Sequence, residues 1–371
     1  NDDSLPVIPF YNVLELLGDS LNARLYKAAA KENQDKLFII KILKRPISSK
    51  SQRQYFKQKI ERLKIIHDTR AITPQSFEDY NDVQFIVRPY FPGKPLNVFL
   101  TEQANILTLN DFFHLAIQLT LGVNSIHEAG IIHGGIKPNN ILIQAKTLAI
   151  RIVDFLNPVD IQEISHFIYD QGFVDGTLAY TSPEQTGRIN HRVEFATDIY
   201  SLGIVFYQLL TGRLPFKSDD PLALIHSHLS EEAEPIHKVN TNIPIMLSRI
   251  VAKMCAKEPE KRYQTGGGLY ADIQRCMDEY SQKQAIEPFI LGLRDHTRRV
   301  IFISKMVGRD KEADVILNEY AKIIKGEGFQ SAFISGLPGI GKTRLIQELQ
   351  SPLVENEGYF TSGKFDQYQK N

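Results

Sequence analysis

The chain opens on short apolar or alternating runs. YNVLELL from Tyr11, ARLYKAAA from Ala23 and KLFIIKILK from Lys36 are separated by the turn-rich GDSLN and KENQD, which predicts three strands. The charged stretch SKSQRQYFKQKIERLKIIHD follows, with Tyr55, Ile60, Leu63 and Ile66 near helical spacing, and predicts a helix. VQFIVRPYF from Val83 predicts another strand, and FPGKP a turn. From Leu109 the period becomes helical, and DFFHLAIQLTLGVNSIHEAG ends at Gly130, a stop signal. NILIQA and LAIRIVD predict two short strands. Beyond a loop at 155–185, helical patterns run to about Ser281. A strand-rich small part followed by a helix-rich large part points to an α+β arrangement rather than alternating βαβ units.

A mixed stretch at 286–306, containing Pro288, reads as a linker between a first domain at 1–285 and a second at 307–371. In the second, QSAFISGLPGIGKTRLIQELQSP reads as strand, Gly-rich turn and helix, the opening of an α/β domain. There is no internal repeat and no low-complexity tract.

Composition narrows the function classes. The 371 residues are 43% hydrophobic, which permits a sizeable core and excludes wholesale disorder. Lys and Arg number 43, as do Asp and Glu, and the zero balance argues against a nucleic-acid binder or a polybasic membrane binder. Two cysteines, Cys255 and Cys276, build no disulfide framework and suggest a reducing, cytoplasmic setting. No apolar run approaches the roughly 20 residues that span a bilayer. The start, NDDS, has neither the basic nor the apolar region of a signal peptide. Both ends read as cut, so the chain is expected to be a piece of something longer.

The chemistry-bearing residues of the first domain come in a definite order. Lys41 ends the strand FIIK, and Glu61 lies inside the charged helix. IIHGGIKPNNILI, from Ile131, carries His133, Lys137 and Asn140. VDFL carries Asp154. GTLAYTSPE runs from Gly176 to Glu184, DIYSLGIVFYQLLTGRLPF from Asp198, and KEPEKRYQT contains Arg262. In this order and spacing they resemble the protein kinases over residues 8–282, which implies a bilobal kinase-like α+β fold. The resemblance implies that Lys41 and Glu61 pair to hold the α- and β-phosphates of ATP. It implies that Asn140 and Asp154 hold magnesium, that Lys137 belongs to the catalytic loop of a Ser/Thr-type kinase, that His133 is structural, and that Arg262 pairs with Glu184.

The departures bear on function more than the matches do. The catalytic Asp position is Gly135 and its neighbour is Gly134, so no carboxylate is there to accept a substrate proton. Losing a positioned base costs typically ~10²–10⁴ in rate. The glycine-rich loop keeps Gly18 but has Ser20 and Ala23 at the next two glycine positions, and D-F-G has become Asp154-Phe155-Leu156. Aligned on the hinge, Arg88 takes the gatekeeper position with Pro89 beside it. There its charge is expected to pair with Glu61 or Asp154, competing with Lys41 or magnesium. Three readings stay open: a pseudokinase that binds ATP weakly and acts by conformation, an active Ser/Thr kinase using Asp154 or Asp175 as a substitute, and a scaffold that binds nothing.

GLPGIGKT matches the phosphate loop G-x-x-x-x-G-K-[ST]. Gly336, Gly339 and Gly341 let backbone N–H groups curl around phosphates, Lys342 reaches the β- and γ-phosphates, and Thr343 holds magnesium. No later apolar strand ending in Asp completes the metal site, so ATP hydrolysis by this portion alone is not expected. VGRDKEADVILNEY, from Val307, resembles the N-terminal box of AAA-type NTPases. Together with GTLAYTSPEQTGRINHRVEFATDIYSLGIVFYQLLTGRLPF and GYFTSGKFDQYQ, it resembles the N-terminal part of very large sensor histidine kinases of fungi and bacteria, the glycine at 135 and Leu156 pointing to the fungal hybrids. That resemblance implies GAF, histidine-kinase and receiver domains further on, and a whole protein that is a protein-histidine kinase of a stress-responsive phosphorelay. The implied partners are ATP, the downstream domains of the same chain and phosphorelay proteins, with no nucleic acid and no membrane span.

Overall fold

The computed structural model describes residues 5–20, 22–47, 49–80, 83–102, 107–155, 177–189, 191–295, 309–336 and 342–347. Strands β1 (Tyr11–Asp19), β2 (Ala23–Ala30), β3 (Leu37–Leu43), β4 (Ser76–Tyr80) and β5 (Val83–Pro89) form one antiparallel sheet in the order β1-β2-β3-β5-β4. Period-two alternation sorts its two faces. Ala28, Phe38, Ile40, Phe85 and Val87 pack together beneath Ile8 on the outer face. Leu43 and Ile86 face inward and join the main core. β4 is absent from the sequence expectations because SFEDY buries only Phe77, so an edge strand shows almost no apolar pattern.

The charged stretch folds as α1 (Lys50–Leu63), capped where the Ser49 side chain accepts the Gln52 N–H. Its buried face is Phe56, Ile60 and Leu63, whereas Tyr55 is 55% exposed. The apolar stripe therefore sits one residue away from the sequence reading. That rotation moves every polar residue of the helix with it, including Glu61.

After α2 (Leu96–Glu102), the second lobe is built on α3 (Leu109–Glu128). A Thr108–Asp111 capping box opens α3, and Gly130 closes it at φ 72°. A short sheet of β6 (Lys94–Pro95), β7 (Ile141–Gln144) and β8 (Ala149–Ile152) lies at its edge. α4 (Phe195–Thr211) is buried on nearly every side, which explains why LGIVFYQLL is so apolar without crossing a membrane. α5 (Pro221–Ser230), α6 (Ile236–Val239), α7 (Ile245–Met254) and α8 (Gly266–Lys283) complete the lobe. At Gly203 a Cβ would stand 2.7 Å from Cys255 Sγ and 2.8 Å from Met254 Cβ, so only glycine lets α4 and α7 approach this closely.

A buried ion pair pins the lobe. Arg262 donates to both Glu184 oxygens at 2.7 and 2.9 Å, and to the carbonyls of Ala256, Ala196 and Lys257 at 2.7, 3.0 and 2.9 Å. Thr197 Oγ1 donates a further bond to Glu184 at 2.7 Å. Burial alone would raise the Glu184 carboxyl. The Arg262 bonds and charge outweigh it and hold the group below its ordinary value.

The stretch expected as a linker begins folded. Ile286, Phe289 and Leu291 pack against the core, and the Arg275 guanidinium lies 4.2 Å from the Phe289 ring centre. Asp295 accepts Gln264 N, Thr265 N and Thr265 Oγ1 at 2.7, 2.9 and 2.7 Å, locking this strap onto the start of α8.

Beyond it, α9 (Asp310–Ile324) and α10 (Lys342–Gln347) flank a cavity of about 440 Å³ lined by Ile316, Tyr320, Ile323, Ala332, Ile334 and Ile346. The strand expected at SAFIS does not form. Among the described residues no ladder partner is beside it, and Phe333 is 98% exposed. Among the described residues no helix is long and apolar enough to cross a membrane.

Two predictions follow from the buried polar groups. Arg262→Met leaves the Glu184 carboxylate buried and unpaired, and should cost about 3–5 kcal/mol in urea unfolding. A loss under about 1 kcal/mol would show that the pair does not pin the lobe. Stability should also fall with acid in two stages. Burial, reinforced by the Lys257 charge, pushes the His228 ring from 6.5 to about 3. Below about pH 6.5 the unfolded ring takes a proton that the folded ring refuses, so the urea midpoint drops as pH falls. Below about pH 4 the depressed Glu184 adds a second decline, because protonation removes what its lowered folded pKa contributes.

Candidate functional site

Asp198, in the first turn of α4 and fully buried, organises the loop between α3 and β7. It accepts His133 N, Gly134 N and His127 Nε2, each at 2.8 Å. Burial would raise its carboxyl, but these donors keep it depressed. Gly134 sits at φ 71°, a left-handed conformation that glycine takes without strain. His133 Nε2 lies 3.0 Å from Val153 O, and its ring packs 4.8 Å from that of Phe155. Burial pushes this imidazole down, so it is a neutral structural group, as the resemblance implied.

The loop is thus shaped for catalysis but lacks the acid. An ideal Cβ on Gly135 would meet Asn140 Nδ2 at 3.6 Å and His133 Nδ1 and Cε1 at 3.7 and 3.8 Å. These are ordinary contacts at a φ that is not left-handed, so a side chain would fit. None of the three nearest atoms belongs to a carboxylate. Asn140 Nδ2 donates to Gly135 O at 2.9 Å, and Lys137 Nζ reaches Thr177 Oγ1 at 2.6 Å.

Across the cleft, Lys41 pairs with Asp154 at 2.5 Å. Asp154 has φ 70°, a backbone conformation that aspartate tolerates better than most residues. The expected Lys41–Glu61 pair is not formed. The Glu61 side chain is 66% exposed and bonds Lys64 at 2.6 Å. The rotation of α1 explains this: with Phe56, Ile60 and Leu63 inward, residue 59 shares the inner stripe and residue 61 points away. Lys59 is half-buried. After burial itself, its charge is among the influences that keep the His133 ring unprotonated. The spacing of Glu61 from Lys41 concealed this; the buried-face register would have revealed it.

β3 and β5 add two further occupants. Ile39 pairs with Arg88, and Lys41 with Ile86, so Ile39, Lys41 and Arg88 stand on the same inner face. Arg88 donates only a long 3.4 Å bond to Pro89 O and makes no ion pair among the described residues. Burial of its guanidinium pushes its pKa down to about 10, opposed by the charge of Asp154. The expectation that Arg88 bonds Glu61 or Asp154 is replaced by longer-range attraction to Asp154 alone.

The glycine-rich turn closes on itself. Ser20 N donates to Ala23 O at 2.9 Å, and Ala23 N donates to Ser20 Oγ at 3.2 Å, so both amides are engaged. Gly18 has open space around its Cβ position. Magnesium, which the fold family implies, does not fit the residues present. The Asp154 carboxylate is held by a lysine, the Asn140 amide is turned to a carbonyl, and α1 offers Lys59 instead of an acid. Among the described residues no cluster of three or more His, Cys, Asp or Glu could hold a metal.

In the second domain Lys342 Nζ donates to Gly336 O at 2.7 Å. Thr343 lies in the first turn of α10, its side chain outside the described residues, as are Gly339 and Gly341. Leu156, Asp175 and Gly176 of the kinase-like motifs also lie outside them.

Comparison with known proteins accords with this geometry. Residues 11–275 match the protein kinase domain family, and residues 305–371 the AAA ATPase domain; such domains generally use ATP with magnesium. The chain is 31% identical over 360 residues to hybrid signal transduction histidine kinase G of Dictyostelium discoideum, covering 74% of this chain and 10% of that protein. It is 28% identical over 268 residues to a probable serine/threonine-protein kinase, CPE1738, of Clostridium perfringens, covering 71% of this chain and 38% of that one. The chain thus spans well under half the length of these relatives. The kinase domain of Mycobacterium tuberculosis PknI has the same fold, with a TM-score of 0.57 at 15% identity, covering 72% of this chain and 97% of that one. The chain belongs to the protein kinase family, in the bilobal form with a sheet-rich first lobe and a helical second, followed by an AAA ATPase region.

Proposed function

We propose that residues 1–285 are a pseudokinase domain, a regulatory module near the head of a hybrid sensor histidine kinase in a stress-responsive phosphorelay, joined through 286–306 to a P-loop ATPase region beginning at 307. The observation that carries this reading is Gly135: the loop around it is fully organised, yet an amide and an imidazole are the nearest neighbours of the missing side chain. Lys59 in place of an inward acid and the Lys41–Asp154 pair support it further. The module acts by conformation on downstream domains, with ATP as the ligand of the P-loop site. The His that accepts phosphate belongs to those later domains and is none of the residues named here.

A second reading is an active Ser/Thr kinase. The Lys137–Thr177 contact and the Glu184–Arg262 pair favour it, since both belong to a working substrate-side loop. It needs an acid from elsewhere. Asp154 is committed to Lys41, and Asp175 lies outside the described residues.

A radiolabel assay separates the two. The chain carrying Lys342→Ala should transfer no phosphate to itself or to a generic substrate above background. Transfer that disappears with Lys41→Ala would sink the regulatory reading. Gly135→Asp should fold with stability within about 0.5 kcal/mol of wild type, because space for the Cβ exists. By itself it should leave transfer undetectable, whereas combining it with Lys59→Glu and Arg88→Met should yield measurable activity.

A further inference from the structure

The cleft carries an inverted charge pattern. Lys41, Lys59 and Arg88 face Asp154, whose carboxylate Lys41 already holds at 2.5 Å. A divalent cation entering here would have to displace an ammonium from its only nearby carboxylate partner among these groups, and would do so beside two more positive charges. A polyphosphate anion meets the opposite situation. It can bridge cations already gathered on one face of β3, β5 and α1, and charge-assisted bonds to phosphate oxygens are the strong ones. The closed Ser20–Ala23 turn has few amides to spare, so the side chains are left to supply the attraction. Ile39 and Arg88 also fill part of the space above Lys41, which weakens any demand for a particular base.

We infer that the interlobe cleft of this chain binds a polyphosphate anion free of divalent metal, and that magnesium weakens the binding. This rests on the reading of the domain as non-catalytic. The shared ligand chemistry is a run of phosphates, supplied either by a nucleoside triphosphate or by inorganic triphosphate.

Calorimetric titration of the 371-residue chain carrying Lys342→Ala tests it, with ATP and inorganic triphosphate as probes, each in EDTA and in excess magnesium chloride. Both probes should bind more tightly in EDTA, ATP by about tenfold, since the metal cancels two of its charges. Lys59→Met should weaken binding in EDTA several-fold. Lys57→Met, which removes the same charge from the exposed face of α1, should not. Lys59→Glu should erase the preference for metal-free ligand. Unfolding by urea without ligand, run on each variant, separates lost binding from lost fold. Binding of ATP but not triphosphate in EDTA supports the inference and makes the nucleotide the source. Tighter binding in magnesium, or no binding of either probe in EDTA, overturns it. Label transfer measured in the magnesium samples keeps the two readings apart. Transfer would overturn the regulatory reading, whereas tighter magnesium binding without transfer would overturn this inference alone.

Discussion

The buried carboxylate of Asp198 is the constraint on which the site depends. It sits at the start of a helix with no exposed face, and it accepts two consecutive backbone N–H groups and a histidine ring. Taking a carboxylate out of water is costly unless its lone pairs are filled. Filling them here forces residues 133–135 into one path, including the left-handed turn at Gly134. The loop geometry therefore does not depend on the residue at 135. Chemistry and architecture come apart: the acid can be lost while the fold that would have aimed it persists.

The cleft shows what happens electrostatically once that chemistry is gone. In a working site an inward acid on α1 would hold Lys41, leaving Asp154 to hold metal. Here α1 turns Lys59 inward, Lys41 is left to Asp154, and the two supposed nucleotide ligands neutralise each other. A charged group in so enclosed a place must find an opposite charge or shift its pKa, and Arg88 does the second. Its residual attraction to Asp154 is the long-range remainder of an ion pair that never closes. One rotation of one helix thus accounts for the pairing of Lys41, the exposure of Glu61 and the surplus of positive charge.

The lobes and their order were legible in the sequence because strand alternation, the Gly130 stop and the motif spacing all point the same way. The loop glycines were legible for a simpler reason, since an absent side chain can be read directly. The identity of the inward residue on α1 was not. Tyr55 and Phe56 are adjacent aromatics, and choosing Tyr55 for the apolar stripe turns the helix by one position, enough to exchange Lys59 for Glu61. β4 escaped because an edge strand with one buried residue has no periodicity. The SAFIS strand was expected from local pattern, but a strand exists only with a partner to receive its hydrogen bonds. The strap at 286–295 was hidden because its hold is a single aspartate capping a helix thirty residues upstream.

That strap bears on how a domain without chemistry can still signal. Gly266 lies against Asn124, where a Cβ would stand 2.6 Å from the Asn124 Cβ. Gly122 on the same helix lies against Ile152, where the corresponding distance is 3.0 Å to Cδ1. Glycines at both contacts let backbone meet backbone, leaving little slack between β8, which carries the chain to Asp154, and the α8 start that Asp295 grips. A flexible tether would absorb a small shift in the cleft. A chain held at Asp295 by three hydrogen bonds leaves the lobe from a fixed point, so a displacement of the lobe is passed to whatever follows as a change of position. In such a molecule stiffness takes the place of catalysis, and the interactions that matter are those that keep the path from cleft to strap rigid.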